Sequence, residues 1–166
     1  MTAANTNTPL SFQPAFTRIQ QTEYNDCAFA CIAMLAGKTI AEVRQVAIEK
    51  FKHPKHGPYW LDEAMISKLL THYGWVGTVY KEGTGISSLP DTAIGMVEYN
   101  AETEIGRHVL FHRFTPQGAK QPVEYIIDPA FWIEEKQQVR TDIKGFPIAW
   151  YIGVHPMAKT ADKAAK

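Results

Sequence analysis

An α+β fold is expected from three observations. The first half of the chain has helical apolar spacing with recognisable caps. The second half has short runs of β-branched and aromatic residues bounded by Gly, Pro, Asn or Asp. The two kinds of segment do not alternate, which argues against βαβ units and for a helical lobe packed on an antiparallel sheet.

The first helix is expected from about Cys27 to Ala36, capped by Asn25 or Asp26 and ended at Gly37. It is apolar nearly all round, so it belongs in the middle of the fold. The second, "TIAEVRQVAIEKF", opens with Thr39 and Glu42 at capping-box spacing. Its stripe is Ile40, Val43, Val46, Ala47 and Phe51. After the loop "KHPKHGPYW" a third helix runs from about Asp62 to Tyr73 and stops at Gly74. Strands are then expected at "WVGTVY", "AIGMVEY", "HVLFHRF", "VEYIID" and "IAWYIGV".

One domain is the economical reading of 166 residues. It should span 16–155, between a polar flexible segment at 1–15 and a solvated tail at 156–166. Lys plus Arg and Asp plus Glu balance at 17 each, so no net field attracts nucleic acid or an anionic membrane. The N-terminus lacks the pattern of a signal peptide, and no apolar run is long enough to span a bilayer. A cytoplasmic protein is expected, with non-classical export left open. Two cysteines make neither a disulfide scaffold nor a zinc site, and no cofactor or metal is expected.

Chemistry is sought at the cysteines. Cys27 stands at a helix N-terminus, where the dipole and unpaired N–H groups favour a thiolate. A buried structural thiol is the competing reading. Cys31 lies one turn further in, among apolar residues, and reads as core. A nucleophilic cysteine needs a base and the base an orienter. His53 and His56 read as solvated loop residues, His72 as a helix-end residue and His155 as the edge of the tail. His108 and His112 share one face of a strand but lie roughly 13 Å apart, too far to chelate one metal. His108, at the strand's start, can reach a cleft, whereas His112 reads as structural. Asp128 ends the strand "VEYIID" ahead of Pro129, at the sheet edge where His108 begins its own strand. Gln21, six residues before Cys27, can pair its side-chain amide with a backbone N–H as an oxyanion hole. Tyr59 and Trp60 read as core, although their loop and "YKEGTGISSLP" border the expected cleft.

Together these residues resemble the papain-like bacteriocin-processing peptidases, which cut double-glycine leader peptides. That family shows a Gln and, six residues on, a Cys in an Asp/Glu-Cys-Gly-x-Ala-Cys/Ser-Leu-Ala-Met context. This chain has "QTEYNDCAFACIAMLAG", followed in family order by "LLTHYGWVGTVY", "LPDTAIGMVEY", "GRHVLF" and "YIIDPAFW". The likeness covers about Arg18 to Val154. It implies a papain-like fold, Cys27 as nucleophile, His108 as base and acid, Asp128 as its orienter and Gln21 as oxyanion donor. It implies a peptide or protein substrate cut after Gly-Gly and association with a transporter or secretion component. Two positions depart from the pattern: Ala28 replaces the Gly after the cysteine, and Arg107 separates Gly106 from His108. No exporter segments follow, so a stand-alone domain is expected. Two other readings stand beside the peptidase. One is a different acyl transfer by the same triad (amidase, deamidase or transglutaminase, including an antibacterial toxin). The other is a silent peptide-binding module.

Overall fold

The structure, a computed structural model, describes residues 12–158. Helix α1 (Cys27–Ala36) is buried from Cys27 to Leu35 and ends at Gly37, whose φ of 64° closes it in the left-handed conformation. Helix α2 (Ile40–Phe51) carries the full capping box. The Thr39 hydroxyl accepts from the Glu42 N–H, and the Glu42 carboxylate accepts from the Thr39 N–H. Helix α3 (Glu63–His72) is capped by Asp62, whose carboxylate accepts from the Met65 N–H.

Six antiparallel strands follow: β1 (Trp75–Glu82), β2 (Thr92–Asn100), β3 (Ile105–Phe114), β4 (Val123–Ile127), β5 (Val139–Arg140) and β6 (Trp150–Pro156). Their order is β1-β6-β2-β3-β4-β5, so the last strand is inserted between the first two. The one-turn helix α4 (Glu135–Gln138) leads directly into β5. Neither short element was expected, since four and two residues carry no readable period.

Alternation along the strands divides the core in two. Ile94, Leu110, Tyr125, Ile127 and Ile152 face the three helices and join Phe29, Ile32, Ile66, Leu69 and Leu70. Ala93, Val97, Val109, Phe111 and Ile126 face the other way, beneath Leu89, Ile143 and Ile148 from the long connections. With both faces covered, the middles of β2 (Ala93–Val97) and β3 (Val109–Phe111) read as continuous apolar runs rather than strict alternations. Fully burying a Phe, Ile or Leu contributes about 1.5–3 kcal/mol each. The helix-facing layer, with Phe29, Ile32, Ile66, Leu69, Leu70, Leu110 and Ile127 all at 0% exposure, therefore fixes how α1 lies on the sheet.

The expected flanks meet the described residues only at their margins. Phe12 packs on Phe114 and Tyr125, and the Ala15 N–H donates to the Tyr125 hydroxyl. At the other end β6 continues to Pro156, opposite Trp75. Residues 1–11 and 159–166 lie outside the described part. Among the described residues, no helix is long and apolar enough to cross a membrane.

Candidate active site

The site forms where α1 starts against β3. Residues 108, 110 and 112 point from β3 toward the helices, and His108 is the first of them with a side chain long enough to meet the head of α1. Its Nδ1 lies 3.4 Å from Cys27 Sγ, and its backbone N–H points at the same sulfur from 3.3 Å. Cys31, one turn along, is completely buried, and both cysteines are free thiols.

Burial sets the charge state of this pair. It pushes the Cys27 thiol up, against the opposing effect of the N–H groups of His108 and Ala28. It pushes His108 down to about 4. Both effects favour a neutral thiol beside a neutral imidazole at pH 7, in place of the ion pair that a helix N-terminus alone suggests.

The other ring nitrogen, Nε2, is 2.7 Å from the Tyr80 hydroxyl of β1. Burial raises the Tyr80 phenol far above its usual range, so it stays protonated. Asp128 is buried near the same end of the sheet, because β3 and β4 pair Leu110 with Ile127. Its hydrogen bonds run elsewhere: it accepts from Arg107 Nη1 at 2.5 Å and from the Ala130 N–H at 3.0 Å. Arg107 also grips Glu98 through Nε and Nη2. Arg18 donates to the carbonyls of Asp128 and Ala130, pinning the turn. The expected residues therefore come to one place in two groups, Cys27 with His108 and Asp128 with Arg107.

Gln21 is buried, anchored by its own N–H on the Pro129 carbonyl at 2.8 Å. Its Nε2 donates to the carbonyls of Glu23 at 2.7 Å and Tyr24 at 3.2 Å, while its Oε1 has no hydrogen-bond partner. Asp26 occupies the N-cap position of α1 yet makes no side-chain cap. The capping expectation is corrected here. The carboxylate turns back to accept from the Thr22 N–H, the Thr22 hydroxyl and the Glu23 N–H, and from Arg44 of α2. Those four donors saturate it and leave nothing for the first turn of the helix. Arg44 in turn stacks on Tyr59 at 3.8 Å.

Two further expectations are corrected. His53 is buried, not solvated, because it lies against Phe29 and Tyr59 and bridges the Pro54 and Trp60 carbonyls. Trp60 is 60% exposed rather than core. It lines, with Tyr24, Tyr80, Met96 and Ile105, a cleft of about 860 Å³ that opens onto Cys27 and His108. His112 is structural as expected, bonded to Tyr125 and packed between Phe16 and Phe114. Tyr80 and Arg107 escaped the sequence reading. For Arg107 a signal existed, a cation directly before His108 at the head of the apolar stretch Val109–Phe111. For Tyr80 there was none beyond its place in a loop-bordering run. Among the described residues, no three His, Cys, Asp or Glu side chains converge to hold a metal ion.

No family model matches this sequence, and no curated protein does either. Among solved structures, the chain is similar to a double glycine motif protease from an AMS/PCAT transporter, crystallised in complex with the leader peptide. The TM-score is 0.50 at 17% sequence identity, covering 86% of this chain and 92% of that one. An identity so low speaks for the fold, and the fold agrees in its essentials with the one built above. Helices precede an antiparallel sheet, and a cysteine heads the buried helix. The fold is the papain-like α+β one, a helical lobe packed on an antiparallel sheet.

Proposed function

We propose that the chain is a cysteine peptidase in which Cys27 is the nucleophile and His108 its base and acid. The observation that carries this reading is the 3.4 Å approach of Cys27 Sγ to His108 Nδ1, at the floor of an open cleft large enough for a peptide. The Cys27 sulfur attacks the scissile carbonyl carbon as its proton passes to Nδ1. The C–N bond then breaks while Nδ1–H protonates the leaving amine. Water, deprotonated by the same nitrogen, releases the acyl group and restores the thiol. Because both partners rest neutral, proton transfer accompanies attack rather than preceding it.

The oxyanion is received at the head of α1 by the Cys27 N–H and by Gln21. The longer of the two Gln21 amide contacts, 3.2 Å to Tyr24, is the one exchanged for the oxyanion. Asp128 acts on His108 at one remove. It holds the guanidinium of Arg107, the residue bonded directly to His108, and so fixes the backbone from which the imidazole projects. The substrate is a peptide, and the protein of similar fold, crystallised with a leader peptide, supports a leader cut after Gly-Gly.

The test is hydrolysis of peptide libraries with and without Gly-Gly by the wild type, Cys27→Ala and His108→Ala. Cleavage by the wild type alone supports the peptidase. Ammonia released from protein glutamines without chain cleavage would point to deamidation instead, and peptide binding with an inert Cys27 to a binding module.

A further inference from the structure

The strand β1 contains an irregularity that aims one side chain at the site. Gly77 pairs with Val154 and Tyr80 with Ile152, so three steps on β1 match two on β6. Gly77 faces the helices, where an added Cβ would lie 2.8 Å from Leu70 Cδ1. In a regular strand, residue 80 would then face away from them. The extra residue of the bulge reverses that parity and turns Tyr80 inward, over the sheet toward His108. Val79 takes the outward excursion and is 63% exposed.

The bulge is held on both sides. The Thr78 hydroxyl accepts from the Gly153 N–H at 2.9 Å, supplying an acceptor where the ladder is interrupted. The Tyr80 N–H donates to the Glu63 carboxylate on the first turn of α3 at 2.8 Å. Three elements thus fix the hydroxyl that meets His108 Nε2, and Asp128, the carboxylate expected to orient His108, bonds Arg107 instead.

We propose that Tyr80 is the positioning residue of His108. Its hydroxyl accepts from Nε2–H and so selects the tautomer whose Nδ1 is free to take the Cys27 proton. This rests on the Cys27–His108 reading above and assigns the orienting contact to a neutral phenol on β1. A phenol oxygen steadies an imidazolium less than a carboxylate does, in keeping with a resting pair that is uncharged. Tyr80 borders the cleft, so an occupying peptide chain covers this hydrogen bond from water.

The experiment uses the full chain with Cys31→Ala in every background. The side-chain nitrogens of His108 are observed by long-range ¹H–¹⁵N correlation, and Cys27 alkylation by iodoacetamide is followed from pH 5 to 10. Expected for the wild type is a protonated Nε2 and an unprotonated Nδ1. Tyr80→Phe keeps the ring in place, mixes the tautomers and slows alkylation at pH 6–7 by about tenfold, a fraction of what a general base supplies. His108→Ala slows it at least as much. If His108→Ala leaves alkylation unchanged, the Cys27–His108 reading fails and this inference with it. If His108→Ala slows alkylation but Tyr80→Phe alters neither tautomer nor rate, or if Nδ1 carries the proton in the wild type, the assignment to Tyr80 alone is overturned.

Discussion

Asp26 gives the sharpest stability prediction, because its carboxylate is fully buried and meets four donors. Three belong to the Thr22–Glu23 segment between Gln21 and Cys27, and the fourth is the Arg44 guanidinium of α2. The Arg44 side chain is only 21% exposed, so water cannot replace the lost partner well. Breaking a buried pair from one side costs about 3–5 kcal/mol, which is the loss expected for Asp26→Ala. Asp26→Asn keeps an acceptor of the same shape and forfeits the charge assistance, and should cost about 1.5–3 kcal/mol. In Arg44→Met the carboxylate retains its three local donors, so the penalty is smaller. The double variant should then show coupling of about 0.5–3 kcal/mol. The assay is urea unfolding at pH 7, followed by tryptophan fluorescence. Asp26→Ala losing less than about 1 kcal/mol, the range of a solvent-exposed pair, would refute the reasoning. So would strict additivity with Arg44→Met.

Other predictions concern the site and its supports. An unfolded histidine titrates near pH 6.5, whereas burial holds native His108 at about 4, so between those values the unfolded chain binds the extra proton. Stability is then fully present above about pH 6.5 and falls as the pH drops toward 4. The fall amounts to about 3 kcal/mol, and urea midpoints of His108→Gln should show a flatter curve over that window. An unchanged curve would mean that His108 is not desolvated. Gly83→Ala places a Cβ 1.9 Å from the Ile148 carbonyl oxygen, a backbone atom that cannot step aside, and should cost about 1–3 kcal/mol or more by urea unfolding. Gln21→Ala should lower kcat on a cleavable peptide by about 10²-fold with KM little changed. A change confined to KM would remove Gln21 from the oxyanion site.

Much of the fold was legible because its signals are local. The all-apolar run ending at Gly37, the Thr39–Glu42 box and the Asp62 cap fix three helices within a residue or two of where they lie. The strands were legible as runs, yet their order was not. The insertion of β6 between β1 and β2 depends on which apolar faces match across more than 50 residues of intervening chain, and no window of sequence contains that match. The capping of α1 is partly local and partly not. Asp26 is the right residue type at the right position, but the Thr22 and Glu23 donors just upstream, joined by Arg44 from another helix, turn its side chain backward.

The site shows the limit most clearly. That Cys27 and His108 meet follows from two local facts, a cysteine at the head of a buried helix and a histidine on the inward face of a strand. Which group then holds His108 is a competition between elements far apart in sequence. Asp128 is buried toward the same end of the sheet, just past the end of β4, while Tyr80 reaches the imidazole from the bulge of β1. The outcome turns on Arg107, whose guanidinium closes a bidentate-type grip on Glu98 and reaches Asp128 besides. A carboxylate facing a fixed guanidinium at 2.5 Å gains more than it would from a neutral, desolvated imidazole, so Asp128 goes to the cation and Nε2 is left to the phenol. Arg107, between Gly106 and His108, thus holds the carboxylate while the imidazole meets the phenol. Arg107→Gly should therefore release Asp128 toward the imidazole and raise the pKa of His108. A His108 titration that stays near 4 in that variant would show that the fold, rather than Arg107, keeps the carboxylate away.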